Sequence, residues 1–184
     1  MASVISELRE LIPKRPMTWA ESNRIAELVA MRFLALSGIK AAPVPEEIIS
    51  ELPRVSVERE YPFKVSGVTA FYEGLWMVAL NAGEPLGRQR FSLAHEFWHI
   101  IDAPYKDRLY PPQLGMTSHE RNESVADRFA ASVLMPKPWV RKAWTSGTQD
   151  IGQLARQFEV SREAMRVRLQ VLGLLEPTKR CGVA

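Results

Sequence analysis

Apolar residues in this chain recur first at helical and then at strand spacing. Residues 3–12 form a short amphipathic pattern that Pro13 and Pro16 interrupt. Thr18-Trp19-Ala20-Glu21 reads as a capping box, and Ile25, Leu28, Val29, Phe33 and Leu36 follow at the period of a core helix that Gly38 closes. A short helix is expected from Glu46 to Leu52. Alternation then takes over: Val55 and Val57, the β-prone run Val65–Tyr72, and Leu75–Leu80 after a Glu73-Gly74 turn. Helical spacing returns from Arg88 to Ile101, free of Pro and Gly, and ends at Asp102-Ala103-Pro104. A proline-bounded loop, Pro104–Gln113, precedes a second capping box, Thr117-Ser118-His119-Glu120, which opens a helix running to Met135 and stopping at Pro136.

This pattern predicts an α+β fold with a small antiparallel sheet directly before the helix over 88–101. Two segments are expected, 1–136 and a helical appendage over 137–184. The length of 184 residues and 46% hydrophobic content describe an ordinary soluble domain. No stretch approaches a membrane span, and the first residues lack a secretory pattern. The single Cys181 excludes internal disulfides and suits a reducing cytoplasm. Charge is uneven along the chain. Residues 137–184 hold nine Lys or Arg against four acidic residues, whereas 1–136 hold fifteen against seventeen.

Two of the three histidines, His95 and His99, lie four apart on the apolar helix, where one turn brings both imidazoles to one face. Such a pair can share one metal ion, and Glu96 on the flank can serve as general base toward a water. A zinc site of this kind wants a third protein ligand and an open position. Glu123 and Asp127, again four apart, offer two carboxylates: one can close the ligand set, the other can accept the free N–H of a ligand histidine.

Arg90-Phe91-Ser92-Leu93-Ala94-His95-Glu96-x-x-His99, followed by Glu123-x-x-Ala126-Asp127-x-Phe129-Ala130-Ala131-x-x-Leu134-Met135-Pro136, resembles the ImmA/IrrE family of zinc metallopeptidases. The resemblance spans roughly residues 20–136. It implies a zincin-like fold and a gluzincin-like site, with His95, His99 and Glu123 as ligands, Glu96 as base and Asp127 behind a histidine. Zinc is the expected ion, with manganese or another divalent metal the alternative. The resemblance further implies a protein substrate, an XRE-type helix-turn-helix repressor, cut to release stress-response or mobile-element genes. Members commonly carry Gly before the second histidine, where Trp98 here would reshape the cleft. They also often carry an acidic residue where Val125 stands, which favours Glu123 as the ligand. Such sites take an oxyanion donor from a His or Tyr outside the ligand motif. His119, four residues before Glu123, is the first choice, with Tyr105 and Tyr110 as competitors.

Two segments admit two readings each. Leu75-Trp76-Met77-Val78-Ala79-Leu80 is either an exposed edge that pairs with an extended substrate or a plain core strand. Residues 150–169 resemble a helix-turn-helix in which Val160 fills the turn and Ser161 caps the second helix. Its Arg162, Arg166 and Gln170 suit nucleic acid, unless the helical pair simply packs on the catalytic core. The competing function is therefore a DNA-binding regulator or toxin–antitoxin component with a non-catalytic metal site. Glu96 separates the two, because a purely structural zinc site has no use for a carboxylate beside its ligands.

Overall fold

A computed structural model describes residues 3–176; Cys181 lies outside the described residues. The elements run α1 (Val4–Arg9), α2 (Trp19–Leu36), α3 (Glu47–Ser50), β1 (Val55–Glu60), β2 (Gly67–Tyr72), β3 (Leu75–Asn81), α4 (Leu86–Asp102), α5 (Lys106–Leu109), α6 (Ser118–Leu134), α7 (Lys137–Thr145), α8 (Ile151–Phe158) and α9 (Arg162–Val171). The α+β class is as the periodicity predicts.

The sheet departs from expectation. Its order is β1-β3-β2, with β1 parallel and β2 antiparallel to β3, so it is mixed. Glu73 and Gly74, both at positive φ, make the expected tight turn between β2 and β3. The six residues between β1 and β2 carry the chain past the place that β3 then fills. Leu75–Leu80 is therefore the inner strand and has no free edge. Val78 and Leu80, the residues most buried in the sheet, anchor it on the core. The strand with the most apolar burial takes the middle, and β2 is left as an edge.

Helix α4 is the axis of the core. Leu93, Ala94, Phe97, Trp98, Ile100 and Ile101 are buried, and Phe97 packs between Phe33 of α2 and Phe129 of α6. Trp98 is fully buried against Phe129, with ring centroids 5.2 Å apart, so it fills the core and does not shape the cleft. On α2 the buried stripe is Ala26, Val29, Ala30, Phe33 and Leu34, whereas Leu28 is exposed. Small alanines let α2 lie close to α6, and that close approach rotates the stripe away from Leu28. Arg9 of α1 donates to the carbonyls of Ile100 (2.8 Å) and Ile101 (3.1 Å), occupying acceptors that the end of α4 leaves open. The capping box at Thr117 and Glu120 forms as expected and fixes where α6 begins.

Helices α8 and α9 make the helix-turn-helix shape, with Glu159 left-handed (φ 52°) and Ser161 accepting from the Ala164 N–H at 3.0 Å. Leu154, Phe158, Met165 and Leu169 join the same buried cluster as residues of α2, α4 and α6. Arg90 of α4 pairs with Glu159 at 3.1 Å, and the buried Arg168 donates to the Met135 carbonyl at 2.9 Å. A Cβ on Gly87 would come within 3.2 Å of the backbone at Val160 and Ser161, so the start of α9 lies hard against α4.

Candidate metal centre

Helices α4 and α6 pack antiparallel, and each brings two residues one turn apart to their shared face: His95 and His99 from α4, Glu123 and Asp127 from α6. His95 Nε2 and His99 Nε2 are 3.1 Å apart. The Glu123 carboxylate lies 3.3 Å from the first and 3.4 Å from the second. Ligands at 2.0–2.2 Å from one tetrahedral ion would be separated by about 3.4 Å. The two carboxylate distances run to different oxygens, Oε2 toward His95 and Oε1 toward His99, and one donor atom from each of the three residues lies within 4.8 Å of the others, a cluster able to hold an ion.

Asp127 Oδ1 accepts from His95 Nδ1 at 2.9 Å. With the proton held there, the lone pair of Nε2 faces the cluster centre, which is the tautomer a ligand needs. Without an ion, the Asp127 and Glu123 carboxylates favour a second proton on this imidazole, which metal binding would displace. Burial opposes charge on His95, but Asp127 and then Glu123 outweigh it and raise its pKa to about 9. The imidazoles of His95 and His99 hold the Glu123 carboxyl far below its ordinary range. The Glu123 carboxylate is therefore anionic at neutral pH and suited to a cation.

Glu96 projects from the flank of the same face, toward the sheet. It is buried, and its Oε2 accepts from the Thr69 hydroxyl at 2.7 Å. A Cβ on Gly67 would lie 3.0 Å from Glu96 Cγ and 3.1 Å from Oε1, so the glycine leaves the room that this carboxylate occupies. Edge strand β2 therefore forms the roof over Glu96. A cleft of about 370 Å³ opens beside it, lined by Ser66, Gly67, His95, Glu96, Glu123 and Asp127 among others.

His119 lies in the first turn of α6 with an 82% exposed side chain, its Nδ1 3.8 Å from Glu123 Oε1. It is near the ligand set but does not line the cleft. Tyr105 and Tyr110 do not line it either. Tyr110 is buried, and its hydroxyl donates to Asp102 Oδ2 at 3.0 Å. Thr69 and Gly67, which position Glu96, carry no signal in a chain read without its fold.

Asp102 was legible only as a helix terminator, yet it lies one turn beyond His99 and is fully buried. Burial pushes its pKa up to about 7, although His99 and the Tyr110 hydroxyl favour its charge. A raised carboxyl pKa means the folded state prefers the neutral acid. Its contribution is complete below the ordinary value of 3.8 and is lost as pH rises through about 7. Relative to wild type, Asp102→Asn should therefore gain stability across that window, by roughly 1.4 kcal/mol per pH unit. Urea unfolding of both proteins from pH 4 to pH 8 checks this; a difference independent of pH would contradict it.

These features define a two-helix His-Glu-x-x-His centre with a downstream glutamate, on an α+β scaffold. A family model described as the IrrE N-terminal-like domain, Peptidase_M78, matches residues 57–170, and the chain belongs to this family. Among solved structures, a Mycobacterium tuberculosis transcriptional regulator is similar, with a TM-score of 0.64 at 18% identity. The match covers 98% of this chain but only 55% of that one, and it supports the fold. No curated protein sequence matches the chain. Among the described residues, no helix is long and apolar enough to cross a membrane.

Proposed function

We propose that this protein is a zinc-dependent endopeptidase that cuts an XRE-type helix-turn-helix repressor in the cytoplasm. The observation that carries the reading is the convergence of His95, His99 and Glu123, one donor atom from each within 4.8 Å of the others, with a buried glutamate on the adjoining flank. His95, His99 and Glu123 would hold the ion, and zinc is the metal that two imidazoles and a carboxylate suit best. When bound, zinc polarises a carbonyl and acidifies a water.

The chain's own residues supply the rest. Glu96 takes the proton of the attacking water and delivers it to the departing amine, and Thr69 holds the carboxylate in position for both transfers. Asp127 keeps His95 in its ligating tautomer. The open edge of β2, with Gly67 above Glu96, is the strand to which an extended peptide would pair, in place of the inner β3. His119 is the residue nearest the ligands that would serve as oxyanion donor, swinging in from its exposed position.

The alternative, a DNA-binding regulator with a non-catalytic metal site, draws on the helix-turn-helix shape of α8 and α9. Against it stands the packing of the start of α9 on α4 at Gly87. A recognition helix presents that end to the major groove. Of the outer residues, Arg166 is 3.6 Å from Glu163.

The test is a cleavage assay with the XRE-type repressor encoded nearest to this gene. Zinc-loaded protein should convert it to two fragments, a chelator should stop the reaction, and zinc should restore it. An intact repressor after prolonged incubation would overturn the substrate assignment. Gly67→Ala gives a second check on the geometry. By pushing Glu96 aside it should lower turnover by about a hundredfold at unchanged zinc content. Unchanged turnover would show that the roof over Glu96 is not needed.

A further inference from the structure

The cleft does not end at His95. A groove of about 480 Å³ continues from it, between the first half of α4, the second half of α6 and helix α9. Arg88, Phe91 and Asp127 line both spaces, so the groove and the metal cleft are contiguous. Its walls are largely apolar, with Phe91 on one side, Ala131 on another, and Ala164, Val167 and Val171 on α9. Val167 and Val171 are each 48% exposed, although the opposite face of α9 is deeply buried through Met165 and Leu169. The volume is in the range of about 300–1,000 Å³ typical of ligand sites.

A polar group stands among these walls. Arg168 also lines the groove and is only 2% exposed. Its Nε is satisfied by the Met135 carbonyl, whereas its buried Nη1 has no partner among the described residues. A buried donor without an acceptor is costly, and this one lies behind the groove wall with no accessible surface of its own. Apolar walls ask for hydrocarbon. A polypeptide carries it on its side chains, and it is the molecule whose bond would lie at the adjoining metal.

We propose that this groove is the subsite that holds the apolar side chains of the protein substrate on one side of the cut bond, with α9 as its wall. The proposal rests on the peptidase reading and deepens it. The C-terminal helices then belong to the substrate-binding surface of the enzyme.

The probes are two short peptidyl hydroxamates, which chelate the metal and differ in one side chain, isobutyl or methyl. Calorimetry is done on full-length protein whose zinc content has been confirmed. The isobutyl compound should bind tighter by on the order of tenfold or more, from the extra apolar surface buried. That gap should close in Val167→Trp, which fills the groove from a half-exposed position, and in Val171→Trp as a second, independent filling variant. No gap in wild type, a gap unchanged in both variants, or no binding of either compound overturns the proposal. A random decapeptide library separates it from the peptidase reading. Cleavage with no preference for Leu, Met or Phe beside the cut bond overturns the groove and leaves the peptidase. No cleavage of any peptide, with the isobutyl gap intact, overturns the peptidase and with it the role as a substrate subsite, leaving the groove as a binding site for apolar side chains beside the metal.

Discussion

Glu96→Gln is expected to keep its metal and to lose cleavage by roughly 10²–10⁴-fold, the usual contribution of a positioned general base. The substitution preserves shape. Glutamine has the same length, the Thr69 hydroxyl can donate to its amide oxygen as it now does to Oε2 at 2.7 Å, and the space beneath Gly67 still fits. What disappears is the ability to accept a proton. Metal should be retained, because the cluster able to hold it is formed by His95, His99 and Glu123 and does not include Glu96. Zinc content and initial rates on one substrate, measured side by side, decide the matter. Equal rates would remove Glu96 from the chemistry, and lost zinc would mean that Glu96 is a ligand.

His95→Ala and His99→Ala should have the second large effect, on metal and on stability together. Each removes one of three protein donors, and an ion bound only by the folded state stabilises it by RT ln(1 + [L]/Kd), about 2.7 kcal/mol at a hundredfold excess over Kd. Added zinc should therefore raise the thermal midpoint of wild type and leave the two variants nearly unmoved. His95→Ala should also weaken the metal-free protein. It leaves Asp127 and Glu123 without the imidazole that now lies 2.9 Å from one and 3.3 Å from the other. A zinc-dependent midpoint shift of wild-type size in both variants would contradict the assignment.

The parts of the site that follow from helix period were legible before the fold. Four-residue spacing puts His95 beside His99 and Glu123 beside Asp127, and the capping box at Thr117 fixes where α6 starts. Other features depend on what packs against what. Alternation identifies β3 as a strand but cannot say that β1 runs parallel along its far side, so its edge role was open and proved to be an inner one. Trp98 adjoins His99 in sequence, yet one residue is 100° of helix rotation, and it faces Phe129 in the core. Leu28 matches the period of α2 but is rotated outward by the close approach of alanines. Tyr110 sits in a loop rich in proline that reads as exposed, while its hydroxyl is buried on Asp102. Gly67 and Thr69 matter because β2 crosses over Glu96, a contact between residues 27 positions apart in the Thr69 case. The groove along α9 exists only through docking of the C-terminal helices on α4.

The central claim is that one divalent ion is held by His95, His99 and Glu123, and anomalous diffraction from zinc-loaded crystals tests it most directly. The expected map has a single strong peak within about 2.0–2.2 Å of both Nε2 atoms and a Glu123 oxygen. No peak between α4 and α6, or a peak bound elsewhere with these three side chains unengaged, would contradict the account.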